Sequence, residues 1–263
     1  MVLLLMQSNG WGKTVFHQPR AGVGLAIAML MTFSVLSACA SEQGSEGKPV
    51  GKPVGKPLVK AELERAAITD ADLDGYEVEQ ILAAPSASRR TADPAACAPV
   101  VQATGGSSGF TAVARIGRMM SPKKGGSGTS MILASHDAGD AAKVIDALRS
   151  AAKRCKSFLD VGVGFRYDDV ALRPDPGYGD ESVSLRLTQL AAADADDEPV
   201  RVPYAVVAVR QGATVAMFYE FNRPRGAGDA DAAAVPEDII RTQLNKLNTL
   251  NKPGKPGKPT ASK

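Results

Sequence analysis

The chain has 263 residues, and its 31 Lys and Arg against 28 Asp and Glu give a formal charge of +3 at pH 7. Ten of the basic residues but only two of the acidic ones lie in residues 1–60 and 252–263, so residues 61–251 carry a net charge of −5. A nucleic-acid binder would concentrate Lys and Arg on a folded face. We therefore expect no nucleic-acid partner.

The N-terminal region has the order of a secretory signal. Residues 21–35 are uncharged and mostly apolar, and Lys13 and Arg20 precede them. This run is shorter than the ~20 apolar residues that span a bilayer. The sequence Leu36-Ser37-Ala38-Cys39 follows it and resembles the bacterial lipobox. The resemblance implies cleavage before Cys39, lipidation of its thiol, and a position on the outer face of the cell membrane. The alternative is a membrane helix with an incidental cysteine.

A Lys/Pro/Gly repeat follows the lipobox at residues 47–58, and the C-terminal residues have the same character. Gly and Pro at every fourth position disfavour regular structure, so the repeat is typical of an extended spacer. The lysines could also contact anionic lipid or wall polymer. The predicted organisation is a signal at 1–38, a lipidated tether at 39–60, one domain at 61–251 and a basic tail at 252–263.

Short elements are predicted for the first part of the domain, because Gly and Pro interrupt it often. They are helical stretches at 62–67 and 68–73, a strand at 76–82, and a short helix that opens with Asp93-Pro94 and contains Cys97.

The clearest helix is predicted at 137–158. Two strands, at 110–116 and 130–135, precede it and are expected to form a hairpin. Asp137 and Asp140 stand in capping positions, and apolar residues recur every three or four positions after them. This spacing places Cys155 on the buried face of the helix.

Four further strands are predicted at 161–167, 182–189, 202–210 and 214–221, followed by a helix that starts at Pro236. Strands without intervening helices favour antiparallel pairing. The predicted fold class is α+β, with a single antiparallel sheet and the helices packed on one face. Within 182–188, Val183, Leu185 and Leu187 would face the helices, and Ser184, Arg186 and Thr188 would point away.

Cys97 and Cys155 are the only cysteines after Cys39. An exported domain meets an oxidising compartment, so a disulfide between them is predicted. Two buried free thiols are the alternative.

Several short motifs resemble actinobacterial lipoproteins related to the extracellular sensor domain of PknH-type receptor kinases. They are Ala96-Cys97-Ala98-Pro99, Cys155 at the end of the central helix, Gly179-Asp180-Glu181-Ser182, and Arg210-x-Gly212-x-x-Val215-Ala216. The resemblance covers about residues 61–250. It implies a helix-backed sheet with a cleft for an unidentified ligand. The kinase domain has two disulfides, whereas this domain can form one.

The sequence offers little catalytic chemistry. His17 lies in the signal, so His136 is the one imidazole that a triad could use, and we interpret it as a polar loop residue. Asp168, Asp169, Asp175, Asp180 and Glu181 form an acidic region without EF-hand spacing. Residues 162–164 and 125–128 lack the context of nucleotide-binding loops and are read as turns. No cofactor or metal is expected.

Three hypotheses of function follow. The first is a non-enzymatic surface lipoprotein whose domain binds a small molecule, lipid or protein. The second is a carboxylate-dependent hydrolase of wall or lipid substrate, and the third is an accessory carrier of another surface component. The candidate binding residues are Arg166, Tyr167, Tyr178 and Arg186, because Arg and Tyr are enriched at recognition surfaces. The alternative is that the tyrosines pack in the core and the arginines are solvated.

Overall fold

A computed structural model describes residues 55–83, 88–191, 199–222 and 232–251. The described residues belong to one compact unit. The predicted signal, Cys39, most of the tether and the tail lie outside these ranges, and their assignments stay predictions. None of the helices in the described ranges has the length and apolar character needed to span a bilayer.

The described residues contain nine strands. They are β1 (Tyr76–Ile81), β2 (Ala92–Asp93), β3 (Ala112–Pro122), β4 (Thr129–His136), β5 (Phe158–Asp160), β6 (Phe165–Leu172), β7 (Glu181–Ala191), β8 (Val200–Gln211) and β9 (Thr214–Phe221). All nine join one sheet in the order β1-β3-β4-β9-β8-β7-β6-β5-β2, and every neighbouring pair is antiparallel. The α+β class with a single antiparallel sheet is therefore confirmed.

Four α-helices accompany the sheet within the described ranges: α1 (Lys60–Ala66), α2 (Ala98–Ala103), α3 (Ala138–Arg154) and α4 (Glu237–Asn251). The predicted central helix ends four residues early, because Cys155 takes extended backbone angles and β5 begins at Phe158. The helix predicted to open at Asp93-Pro94 starts later. Asp93 ends β2, and a 3-10 turn over Ala95–Cys97 leads into α2.

The helices pack on both faces of the sheet. Val206 and Ala208 of β8 contact the core under α2 and α3, whereas Val207 and Val209 contact the core under α1 and α4. Successive side chains of a strand point to opposite faces, so the two cores lie on opposite sides. The prediction that all helices share one face is wrong. An amphipathic helix must bury its apolar stripe, but the stripe does not say which face of a sheet receives it.

On the α3 side, the predicted amphipathic spacing is confirmed. Apolar residues of α3 are buried against β6, β7 and β8. Val183, Leu185 and Leu187 belong to this core as predicted, and Arg186, on the other face of β7, is exposed.

On the α4 side, a buried glutamine joins two helical segments. Gln243 accepts a hydrogen bond from Ile68 N at 3.0 Å and donates one to Ala66 O at 2.7 Å. The two bonds fix α4 against the chain that leaves α1. Leu58 also packs partly against this core, and its backbone N donates to Ser135 Oγ. Residues assigned to the tether therefore already take part in the fold.

Candidate functional site

A pocket of about 270 Å³ lies between α2, the loop at 105–111, α3 and the middle of β9. Its lining is mostly apolar and contains no charged side chain: Ala98, Pro99, Gln102, Ala103, Ser107, Ser108, Gly109, Phe110, Val144, Ala147, Leu148 and Met217. The volume is close to the lower end of small-molecule sites, which span roughly 300–1,000 Å³. Such a lining suits an uncharged, mainly apolar ligand.

The predicted disulfide holds one wall of this pocket. Cys97 and Cys155 are bonded, with their Cα atoms 5.6 Å apart. Cys97 precedes α2 and Cys155 follows α3, so the bond joins the start of one helix to the end of the other. Both cysteines are buried in the α3 core. The disulfide is confirmed, and it positions the two helices that line the pocket.

The opposite wall is the loop at 105–111, which requires glycine at position 106. Gly106 has a φ of +64°, and a Cβ atom there would lie 2.4 Å from Ile132 Cγ1. The loop therefore approaches the sheet more closely than another residue would allow. Arg115 of β3 donates to Gly106 O at 2.6 Å and ties this end of the loop to the sheet.

His136 ties the other end of the loop. Its Nδ1 lies 3.1 Å from Thr111 O, and because a carbonyl only accepts, Nδ1 carries the proton. His136 is the last residue of β4 and is 1% exposed, so the interpretation as a polar loop residue is wrong. Burial lowers its pKa below the ordinary value, with Arg115 as a further cause. The neutral ring suits a structural role under the pocket loop.

Gln102 brings an amide to the pocket wall. Its Nε2 donates to Arg90 O at 3.2 Å, and its backbone O accepts a hydrogen bond from Ser107 Oγ at 2.8 Å. The absence of a side chain at Gly109 leaves room beside the amide, since a Cβ there would lie 3.4 Å from Gln102 Oε1. The amide and the two serine hydroxyls are the polar side-chain groups that a ligand could meet here.

The structure does not bring the predicted binding residues together. Tyr167 is 2% exposed and stacks on Phe158 at 4.9 Å in the α3 core, where burial raises its pKa. Arg186 and Arg166 are exposed on the sheet face opposite Tyr167. The expected grouping is therefore wrong for Tyr167, because Tyr167 belongs to the apolar side of β6.

Tyr178 lies neither in the α3 core with Tyr167 nor on the exposed sheet face with Arg186. It is partly buried against the α4 core, and the Arg241 guanidinium lies 5.5 Å from its ring centroid. Burial raises the pKa of Tyr178. None of the four predicted side chains lines the pocket. A binding role for the exposed arginines stays a prediction.

The motif around Asp180 and Arg210 builds a structural clamp. Arg210 Nε donates to Glu181 at 2.8 Å, and its Nη1 donates to Asp180 at 3.2 Å. Asp180 also accepts a hydrogen bond from Gly212 N at 2.7 Å. These bonds fix the start of β7 to the turn between β8 and β9. This motif, one of those that carry the family resemblance, therefore joins the ends of β7, β8 and β9 and lies away from the pocket lining, whereas Ala98 and Pro99 of another such motif line the pocket.

The other acidic residues of that region are also engaged. Asp168 pairs with Arg166, Asp169 pairs with Arg201, and Asp175 accepts from Ser182 Oγ and Gly177 N. The hydrogen bond from Ser182 is the largest cause that lowers the pKa of Asp175. In the part of the chain that the structure describes, no three His, Cys, Asp or Glu side chains are grouped as metal ligands.

Sequence reasoning missed the pocket because its lining comes from three distant segments: 98–110, 144–148 and Met217. The one local signal was the small-residue run Gly105-Gly106-Ser107-Ser108-Gly109, which lets a loop approach the sheet.

Two of the solved structures that the structural comparison finds have a weak likeness to this chain. One is the extracellular domain of PknH from Mycobacterium tuberculosis, with 11% identity and a TM-score of 0.47 over 75% of this chain and 99% of that one. The other is the Rv0999 ortholog from Mycobacterium smegmatis, with 13% identity and a TM-score of 0.38 over 72% and 93%. No family model and no curated protein matches the chain.

Proposed function

We propose that this protein is an extracytoplasmic, lipid-anchored binding domain that takes a small, uncharged and mainly apolar ligand in the pocket between α2 and α3. The observation that carries the proposal is the pocket itself, with its apolar lining and absence of charged side chains. A ligand that carries a net charge would lose hydration without gaining a partner there. Gln102, Ser107 and Ser108 would orient one polar group of the ligand.

The proposed domain works without catalysis. His136, the imidazole nearest the pocket loop, is buried, holds Thr111 O and does not line the pocket. General acid–base work needs a titratable group within hydrogen-bond reach of the reacting atoms, and the pocket lining offers amide and hydroxyl groups instead. The carboxylates of the 168–181 region, which the hydrolase alternative nominates, are held by Arg or Ser partners.

The proposal is tested with a neutral fluorescent probe, N-phenyl-1-naphthylamine, whose emission rises in apolar surroundings. Ala147→Phe should fill the pocket and remove the emission gain, because Ala147 lines it. Ala142→Phe is the matched control, since Ala142 is a half-buried alanine of the same helix outside the lining. Equal emission gains for both variants would place the probe elsewhere and contradict the pocket.

The anchor is tested separately. Cys39→Ala should remove the lipid acceptor, and the protein should then either leave the membrane fraction or persist as uncleaved precursor. A cleaved Cys39→Ala protein that stays in the membrane fraction would contradict the anchor while leaving the pocket untouched.

A further inference from the structure

Exposed apolar side chains gather at one end of the sheet. The turn between β5 and β6, with the strand residues beside it, carries four of them, here called the apolar tip: Leu159, Val161, Val163 and Phe165, which are 39%, 55%, 56% and 42% exposed. Val200, at the start of β8, is exposed at the same end. The residues from Val161 to Phe165 contain no polar side chain. Gly, Pro and small polar residues dominate turns, so Val161, Val163 and Phe165 are unusual there.

The tip is held firmly although it faces solvent. Asp160 is fully buried and accepts hydrogen bonds at one carboxylate oxygen from Gly162 N, at 3.1 Å, and at the other from the Arg90 guanidinium. Its backbone O accepts from Gly164 N at 2.8 Å. The apolar side chains are therefore presented by a fixed turn. Several exposed apolar side chains on one fixed turn are a candidate interaction surface.

Exposed cations flank the tip. Arg166 and Arg201 have side chains that are 67% and 55% exposed. Asp168 and Asp169 pair with the two arginines, so the flank is only weakly basic. Long cationic side chains beside apolar ones can reach lipid phosphates while the apolar groups enter the interface.

The chain length outside the described residues allows this tip to meet the anchoring membrane. The described chain begins at Gly55, which lies beside Gly212 in the turn that follows β8, at the sheet end opposite the tip. The twelve residues of β8 span roughly 40 Å at about 3.3 Å per residue. The sixteen residue-to-residue steps from Cys39 to Gly55 can reach roughly 50 Å at about 3.3 Å per residue when extended. The tether is long enough for the domain to turn its far end back to the bilayer.

We infer that the apolar tip docks on the lipid surface, with Val161, Val163 and Phe165 in the interface and the flanking arginines at headgroup level. This contact is independent of the pocket, and it uses the proposed Cys39 anchor only to raise the local concentration of the membrane. A turn that is held by its own hydrogen bonds and exposes apolar side chains suits a fluid interface, which needs no complementary groove. The bilayer is therefore the occupant that the observations favour over a protein partner.

The test uses the full chain bound to vesicles of phosphatidylethanolamine and phosphatidylglycerol that contain a spin-labelled lipid, with bound protein isolated by flotation. Val163→Cys carries an environment-sensitive fluorophore. Val113→Cys is the matched control, because Val113 is a valine of 54% exposure near the Gly55 end of the sheet. A shift to shorter wavelength and a loss of emission at position 163 alone would support the inference.

The contrary outcomes are distinct. Protein that floats but gives equal emission at both positions would contradict docking of the apolar tip and would leave the proposed Cys39 anchor unaffected. Protein that does not float would overturn both. Val161→Ser with Phe165→Ser should return the emission at position 163 to that of the control, and unchanged quenching in this variant would show that these side chains do not make the contact.

Discussion

The two faces of the sheet hold their helices by different means. On one face, α4 has fifteen residues, buries an apolar stripe and is joined to the chain after α1 by Gln243. On the other, α2 has only six residues, and several of them line the pocket. A helix this short is marginal by itself. The Cys97–Cys155 disulfide therefore fixes α2 on the pocket face, whereas continuous apolar packing fixes α4 on the other face.

The pocket lies on the face whose helix α2 is short. A pocket next to α2 removes contacts that would otherwise fix the helix, and interiors that lose contacts lose stability. The covalent bond and the two ties on the pocket loop, from Arg115 and His136, allow the space to persist without collapse. On the α4 face, Ile239, Ile240, Leu244 and Leu247 form a core directly on the sheet, and the Gln243 hydrogen bonds add to this packing.

Removing the disulfide should give the largest effect. The double variant Cys97→Ala, Cys155→Ala opens a loop with a sequence separation of 58, and chain entropy predicts a loss of about 4 kcal/mol in the free energy of unfolding. Urea denaturation measures it. Reductant should lower the stability of the wild type but leave the variant unchanged. If reductant does not affect the wild type, the bond does not hold the pocket face.

Gln243→Ala, on the opposite face, should give the second largest loss in the free energy of unfolding. It leaves Ile68 N and Ala66 O buried without partners, at a cost of about 3 kcal/mol. Asn245→Ala, an exposed change on the same helix, should stay within about 0.5 kcal/mol of the wild type. While Gln243→Ala remains folded, its binding of the fluorescent probe should be normal. A loss of probe binding in that variant would mean that the two faces are coupled.

The smallest effect should be the pH dependence that His136 contributes. Burial holds its folded pKa below the ordinary value of 6.5, so the unfolded chain takes up a proton first as the pH falls. Stability should therefore decrease below about pH 6.5 and level off below the folded pKa. His136→Asn keeps a donor for Thr111 O and should lack this component. The comparison of urea midpoints at pH 7 and pH 5 measures it, and parallel losses in both proteins would assign the effect to other groups.

Part of the fold was predictable because it depends on local periodicity. The three-to-four spacing in α3 and α4 and the alternation in β7 predicted those elements and the inward direction of Val183, Leu185 and Leu187. The turn at Gly212 followed from glycine's access to positive φ. The strand predicted at 161–167 starts only at Phe165, because Asp160 draws residues 161–164 into a turn.

The sequence by itself determined the antiparallel α+β class, the pairing of its two remaining cysteines and the charge contrast between the domain and its ends. These follow from residue type and spacing. The tertiary structure alone decided which face each helix covers, since an apolar stripe can be buried on either side of a sheet. It also decided the burial of His136 and Tyr167, the pocket and the apolar tip. Each of these depends on contacts between segments far apart in the chain, which no local pattern records.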